Sequence, residues 1–72
     1  MKVDLRDYEY FVIAKGSSYL RGKYAGGKVF RWTYSVYEAC AFKSRTLAEN
    51  VMKGSGGELK KCSRLTGEVW NI

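Results

Sequence analysis

Two cysteines are the first side chains to consider for chemistry, because a thiolate can act as a nucleophile or bind a metal. Cys40 and Cys62 lie far apart in the chain, which contains no histidine. Structural zinc needs about four Cys or His ligands, and a nucleophilic cysteine needs a nearby base, which is not evident for Cys40. We therefore expect no metal, no cofactor and two reduced thiols, with a Cys40–Cys62 disulfide as the alternative.

Acidic residues near the start of the chain could act in general acid–base catalysis. Asp7 and Glu9 would lie on one side of an extended segment, and paired carboxyl groups can exchange protons when their pKa values differ. However, Asp4, Asp7 and Glu9 stand close in sequence to Lys2 and Arg6, and exposed acids in such a setting usually only solvate a terminus. The sequence therefore predicts a protein that is not an enzyme.

The glycine-rich stretch "KGSGGELK" (residues 53–60) invites comparison with a phosphate-binding loop. A phosphate loop runs from a strand into a helix, so that main-chain amides and the helix dipole face the anion. Here the glycine-rich stretch follows a predicted helix and precedes a predicted strand. This order indicates a helix C-cap and a connection rather than a phosphate site.

Charge is distributed unevenly along the chain. Residues 15–64 hold eleven Lys and Arg against three Glu, a balance of +8, whereas residues 1–14 have a balance of −1. This asymmetry favours a polyanionic partner, either a nucleic acid or an acidic protein surface. A basic surface that only keeps the protein soluble is the alternative.

The stretch "KVFRWTYS" (residues 28–35) combines bulky aromatic residues with positive charge. In a strand, Phe30, Trp32 and Tyr34 point one way and Arg31 the other. Burying large aromatic side chains stabilises a fold more than burying the smaller residues between them. We therefore predict that Phe30 and Trp32 face the helices and Arg31 faces outward. Leu20, Gly22 and Tyr24 form the predicted core set of the preceding strand. The candidate binding residues, most of them on the outer face, are Tyr19, Arg21, Lys23, Arg31, Lys60 and Lys61.

These residues require a sheet to position them, and the hydrophobic pattern predicts one. Alternating or continuous β-formers indicate strands at residues 8–14, 18–24, 28–35, 58–65 and 68–72. Turns are expected at "KGSS", at residues 25–27, and at Thr66-Gly67, where a two-residue hairpin would pair Leu65 with Glu68. Gly22 is the candidate position for a bulge or a close backbone approach.

Two capping boxes predict helices in the middle of the chain. "SVYE" would place Ser35 as the N-cap of a short helix that ends at about residue 41, and "TLAE" would begin a second helix after Ser44 or Thr46. Gly54 is placed to stop the second helix. One helix over residues 36–53 is the alternative.

The predicted fold class is α+β. We expect a single domain over residues 1–72, with an antiparallel sheet of four or five strands and one or two short helices on one face. The predicted single core contains Phe11 or Val12, Leu20, Phe30, Trp32, Leu47, Val51 and Leu59. No run approaches the about 20 apolar residues of a membrane span, and the start of the chain has no apolar signal region, so we expect a cytoplasmic protein.

The order of landmarks resembles that of small proteins encoded by bacteriophages. These landmarks are Tyr19-Leu20, Trp32-Thr33, an A-x-x-F step at residues 39–42, an S-x-x-x-A helix at residues 44–48, and Gly56-Gly57. The resemblance covers about residues 8–62 and implies a β-β-α-β core and a phage origin, without catalytic residues.

Such a chain would act in the bacterial host as an accessory or host-takeover factor, for example as an inhibitor of the anti-CRISPR type. The first hypothesis is therefore a non-enzymatic protein that blocks a host protein or nucleoprotein complex. The second is a module that binds DNA or RNA directly.

Overall fold

The computed structural model describes residues 8–23 and 29–72. They form a five-stranded antiparallel sheet with one helix packed against it, which confirms the predicted α+β class. The elements are β1 (Glu9–Lys15), β2 (Ser18–Lys23), β3 (Phe30–Thr33), α1 (Arg45–Ser55), β4 (Glu58–Ser63) and β5 (Val69–Asn71). The strand order is β3-β2-β1-β4-β5. Asp4, Asp7, Tyr24, Lys28 and the turn predicted at residues 25–27 lie outside the described residues.

Strand β1 lies at the centre of the sheet, as its continuous run of β-formers predicts. It pairs with β4 over six residue pairs, from Glu9 with Ser63 to Ala14 with Glu58. The turn into β2 is tight because Gly16 has a φ of +63°, a conformation that glycine adopts without steric cost. The hydroxyl of Ser18 donates to the carbonyl of Lys15 at 2.8 Å and closes this turn.

The two faces of the sheet carry different side chains, because directly paired residues share a face. The face that packs against α1, called the helix face, carries Phe11, Ile13, Leu20, Phe30 and Trp32. The other face, called the loop face, carries Tyr10, Val12, Tyr19, Cys62 and Val69. A Cβ atom at Gly54 of α1 would lie 3.3 Å from the ring of Phe30, so Phe30 and its alternate neighbour Trp32 face the helix as predicted.

The prediction of a single core containing Leu47 is wrong in two respects. Val12 is fully buried with Ala39 and Cys62 on the loop face, whereas Leu20 is buried on the helix face, so the sheet has apolar packing on both sides. Leu47 is 60% exposed, because α1 turns the buried Ala48 toward the sheet. Leu47, one residue earlier, is rotated by about 100° around the helix axis from Ala48 and points to solvent.

The short helix predicted after Ser35 is a single turn. The Glu38 amide donates to the Ser35 carbonyl at 3.1 Å, and the Ala39 amide donates to the Val36 carbonyl at 3.3 Å. The Glu38 carboxylate accepts from the Thr33 hydroxyl at 3.0 Å, a bond different from the one that a capping box would make to Ser35. The second of the two predicted helices is therefore the one that forms.

Residues 40–42 lie between β1 and β2, which explains why they are not helical. The Cys40 amide donates to the carbonyl of Leu20 at 2.8 Å, and Phe42 exchanges hydrogen bonds of 2.8 and 2.9 Å with Phe11. Ala39 packs on the loop face and α1 packs on the helix face. The chain therefore crosses from one face to the other through the gap between these two strands.

Helix α1 begins and ends close to the predicted signals. Ser44 is the N-cap, and its hydroxyl accepts from the amide of Leu47 at 3.4 Å. The helix continues past Gly54 to Ser55, and Gly56, with a φ of +75°, forms the C-cap by donating to the carbonyl of Met52. No helix in the described part of the chain is long and apolar enough to span a membrane.

The last hairpin has a different register from the predicted one. Cys62 pairs with Val69, and residues 64–68 form the connection, so Leu65 and Glu68 are not a strand pair. The amide of Gly67 donates to the carbonyl of Ser63 at 2.8 Å, which closes a longer loop than the two-residue turn. The phenol of Tyr37 lies against Gly67, so this loop also contacts the turn after β3.

Candidate functional site

A β-bulge places two arginines at adjoining positions of neighbouring strands, β2 and β3. Leu20 pairs with Trp32 and Gly22 pairs with Arg31, which leaves Arg21 as an extra residue on β2. The predicted bulge next to Gly22 is thereby confirmed. It also places Gly22 opposite Arg31 and Leu20 opposite Trp32. Because Arg31 and Trp32 are successive residues of β3 and point to opposite faces, the prediction that Gly22 and Leu20 share the core face is wrong. Arg21 and Arg31 are both exposed on neighbouring strands.

Neither arginine of this pair is neutralised by a carboxylate in the described parts of the chain. The ion pairs found there join Arg45 to Glu49 at 2.9 Å and Lys61 to Glu9 at 3.2 Å. Arg21 and Arg31 form no ion pair with any residue in 8–23 or 29–72. Their positive charge is therefore available to an anionic partner.

Tyr34, the residue after β3, has an exposed aromatic ring. The prediction grouped it with Phe30 and Trp32, but β3 ends at Thr33 and Tyr34 is 82% exposed. The Thr33 hydroxyl accepts from the amide of Ser35 at 3.2 Å, and this local bond ends the strand. A threonine two residues before a serine amide is the signal that sequence reasoning missed. We call Arg21, Arg31 and Tyr34 the arginine–tyrosine surface.

The other predicted binding residues are distributed elsewhere. Tyr19 is half-buried and packs against the Val12 cluster on the loop face. Lys60 pairs with Val12 on that face, whereas Lys61 lies on the helix face, where its ammonium is 5.5 Å from the centre of the Phe11 ring. The side chain of Lys23 lies outside the described residues. The two lysines therefore point to opposite sides of the sheet and do not extend one common surface.

Two further cations, Lys43 and Arg64, contact the ring of Tyr10. The Lys43 ammonium lies 4.3 Å from the ring centre and the Arg64 guanidinium 5.3 Å from it. Arg64 also donates to the carbonyl of Ala39 at 3.0 Å. Through Arg64, the chain after β4 contacts both Tyr10 and the segment that crosses the sheet. We therefore assign Tyr10 and Arg64 a role in stabilising the fold.

Cys40 and Cys62 are free thiols in the structure, Cys40 half-buried and Cys62 buried. Burial raises the pKa of the Cys40 thiol, and the nearby Arg64 guanidinium opposes this rise. Burial also raises the pKa of the Cys62 thiol, against the opposing effects of Arg64 and a main-chain hydrogen bond from Tyr10. A raised pKa keeps a thiol protonated and a poor nucleophile at neutral pH.

The raised pKa of Cys62 predicts a loss of stability in alkaline solution. Below the pKa of the unfolded thiol its contribution is fully present, and it disappears as the pH rises toward the higher folded-state pKa. We expect the free energy of unfolding to fall more steeply between pH about 8 and about 10 in the wild type than in Cys62→Ala. Urea denaturation with a reductant present measures both slopes. Equal slopes would contradict the prediction.

The remaining side-chain groups form no recognisable reaction centre in the described residues. No three Cys, Asp or Glu side chains among residues 8–23 and 29–72 come close enough to hold a metal ion. A cleft of about 200 Å³ is lined by Glu9, Ser63, Thr66, Glu68 and Trp70. One of its two carboxylates, that of Glu9, is already paired with Lys61.

The chain matches no protein-family model, and no curated protein or solved structure is significantly similar to it. The resemblance to small phage proteins therefore remains a prediction. Any functional assignment depends on the residues described above.

Proposed function

We propose that this chain is a non-enzymatic binding protein whose arginine–tyrosine surface attaches to an acidic surface of another protein. In the biological setting that the sequence resemblance suggests, it is a phage accessory factor that blocks a host protein or nucleoprotein complex. The observation that carries the proposal is the pair of exposed arginines at adjoining positions of β2 and β3, without a carboxylate partner in the described residues, together with the 82% exposed Tyr34 just after β3.

The chemistry of these side chains suits a protein interface. Arginine and tyrosine are enriched among the residues that contribute most to binding, because each combines a large contact area with hydrogen-bonding groups. Arg21 and Arg31 form no ion pair with a described residue. Binding a partner therefore does not require the free energy of breaking such a pair. The strands hold both main chains in place, which reduces the entropy lost on binding.

Direct binding of nucleic acid is the second candidate, and the net charge of +6 favours it. Single-stranded nucleic acids, however, usually stack their bases on exposed aromatic rings of a sheet. Here the ring of Tyr10 is occupied by Lys43 and Arg64, and Tyr19 packs against the Val12 cluster. The sheet therefore lacks an open aromatic platform at these two positions. The exposed ring of Tyr34 is open to a base, so the nuclease treatment below decides between the two candidates.

Charge reversal at both arginines tests the proposal. The tagged protein is used to capture partners from a nuclease-treated bacterial lysate, and the Arg21→Glu/Arg31→Glu variant should retain at least about 30-fold less of any specifically captured protein. A loss of about 2 kcal/mol at an interface anchor corresponds to this factor. Circular dichroism should show a folded variant, because both residues are exposed.

The matched control is Arg45→Glu/Lys53→Glu, which makes the same change in net charge at two exposed positions of α1. This control should capture the partner as the wild type does. Equal loss in both double variants would show a non-specific charge effect. The same capture is repeated from an untreated lysate. Capture that occurs there but disappears on nuclease treatment would support nucleic-acid binding and overturn the proposal of a protein partner.

A further inference from the structure

The cleft beside β5 combines an aromatic ring with negative charge. Its lining consists of two carboxylates, two hydroxyls and an indole, supplied by Glu9, Ser63, Thr66, Glu68 and Trp70. We propose that this cleft binds the guanidinium group of an arginine side chain from another polypeptide, stacked on the ring of Trp70 and paired with the carboxylate of Glu68. The inference goes beyond the proposed function, because this site takes a ligand whose charge is opposite to that bound by the arginine–tyrosine surface.

The ring of Trp70 has no cation over it in the described part of the chain. Lys or Arg side chains lie 4.3–5.5 Å from the ring centres of Tyr10, Phe11 and Trp32. Trp70 is exposed and forms no such contact with a described residue. Tryptophan is the aromatic residue that attracts cations most strongly. The cleft therefore offers a ring that can bind a cation from outside the chain.

Glu68 supplies a negative charge that the described residues do not neutralise. It is exposed, and its carboxylate forms no hydrogen bond or ion pair with any residue in 8–23 or 29–72. The second carboxylate, that of Glu9, accepts from the Lys61 ammonium at 3.2 Å through Oε1. Two carboxylates and one ammonium leave a charge of −1 at the cleft, in a chain of net charge +6. A ligand with one positive charge matches this site.

The loop between β4 and β5 holds the lining groups in place. The Ser63 hydroxyl accepts from the amide of Thr66 at 3.4 Å, and the Thr66 hydroxyl accepts from the amide of Glu68 at 3.2 Å. The Ser63 amide also donates to the Glu68 carbonyl at 2.9 Å. A loop fixed in this way loses less conformational entropy when a ligand binds.

A guanidinium fits this arrangement better than an ammonium does. It is planar, so its face can stack on the indole while its edge donates two parallel N–H bonds to a carboxylate. It is also less strongly hydrated than an ammonium, so its transfer from water requires less free energy. The cleft volume of about 200 Å³ is below the about 300–1,000 Å³ of sites for drug-sized ligands and suits a single side-chain group.

Three blocked amino acids test this preference. They are the N-acetyl amides of arginine, lysine and citrulline, of which citrulline is close in shape to arginine but neutral. Each is titrated into the full, isotope-labelled chain at about 0.15 M salt, which screens the net charge of the protein beyond about 8 Å. NMR follows the indole N–H of Trp70 and the amide of Glu68. The arginine ligand should shift both signals saturably and bind at least about threefold more tightly than the lysine ligand, whereas citrulline should give no saturable shift.

Protein variants locate the contact. Glu68→Gln removes the charge and should weaken binding of the arginine ligand at least about fivefold. Trp70→Ala should weaken it to a similar extent, as read from the amide of Glu68. The matched control is Glu58→Gln, which makes the same charge change at an exposed position of β4, where the strand pairs with Ala14 at the far end of its ladder with β1. This control should bind as the wild type does.

The outcomes separate this inference from the proposed function. No saturable shift with the arginine ligand, equal binding of the citrulline ligand, or unchanged binding in Glu68→Gln overturns the cation site. Equal or tighter binding of the lysine ligand overturns its assignment to a guanidinium. Ser63 and Trp70 lie on the helix face, whereas Arg31 lies on the loop face, so Arg21→Glu/Arg31→Glu should leave binding of the arginine ligand unchanged.

Discussion

Replacing Gly57 with alanine should destabilise the fold by about 3–4 kcal/mol, a large part of the total stability of a domain of this size. Gly57 has a φ of +97°, where a side chain is strained. A Cβ atom at this position would also lie 2.6 Å from the carbonyl oxygen of Ala14, in the central strand. The strand cannot retreat without disturbing its pairing with β4, so both effects act together.

Thermal unfolding measures this effect, and Gly16→Ala is the matched control. Gly16 also has a positive φ, of +63°, but a Cβ atom added there would have no other atom within 4 Å. Its replacement should therefore cost only the conformational term of about 1–2 kcal/mol. We expect the melting temperature of Gly57→Ala to fall by more than about 12 °C. Equal losses in the two variants would show that the contact with Ala14 is not important.

Trp32→Ala should produce the second large loss, about 3 kcal/mol. Trp32 pairs with Leu20, which is 1% exposed, and lies on the helix face of the sheet. The Lys15 ammonium lies 5.4 Å from the centre of its ring and covers part of it. Truncation removes this packing and leaves space beside a buried leucine. Trp32 is half-buried, so the low end of the usual range for a truncated tryptophan applies.

Trp70→Ala provides the control for Trp32, because it removes the same side chain from the three-residue edge strand β5. Trp70 is 37% exposed, and its replacement should cost about 1 kcal/mol or less. Urea denaturation of both variants, followed by far-UV circular dichroism, gives the two free energies of unfolding. A loss in Trp70→Ala as large as that in Trp32→Ala would contradict the assignment of Trp32 to the core.

The strands could be predicted because their signals are local. Each run of β-formers has turn residues nearby, and every strand boundary that was predicted lies within two residues of the observed one where the chain is described. The helix from Arg45 to Ser55 could also be predicted from a local signal, because Ser44 supplies its N-cap. The order of these elements is sufficient to indicate an antiparallel α+β fold.

The candidate site could be predicted only in part. Alternation predicted that Arg21 and Arg31 are exposed, and both are. The bulge then leaves Arg21 without a pairing partner on β3. The same alternation separates Lys60 from Lys61, although the prediction placed both among the binding residues. Tyr34 was grouped with Phe30 and Trp32, but β3 ends at Thr33, whose hydroxyl accepts a hydrogen bond from the Ser35 amide, and Tyr34 is exposed.

The sequence by itself determined which segments become strands, where the main helix starts, and that residues 15–64 are strongly basic. Capping, alternation and turn formation act between residues a few positions apart, so their pattern can be recognised in the chain. Only the tertiary structure decided that residues 40–42 lie between β1 and β2 and that Val12 and Leu20 are buried on opposite faces. These outcomes depend on contacts between residues distant in sequence, such as that of Phe11 with Phe42. The hydrogen bonds between these two residues take the place of those that a local helix would form.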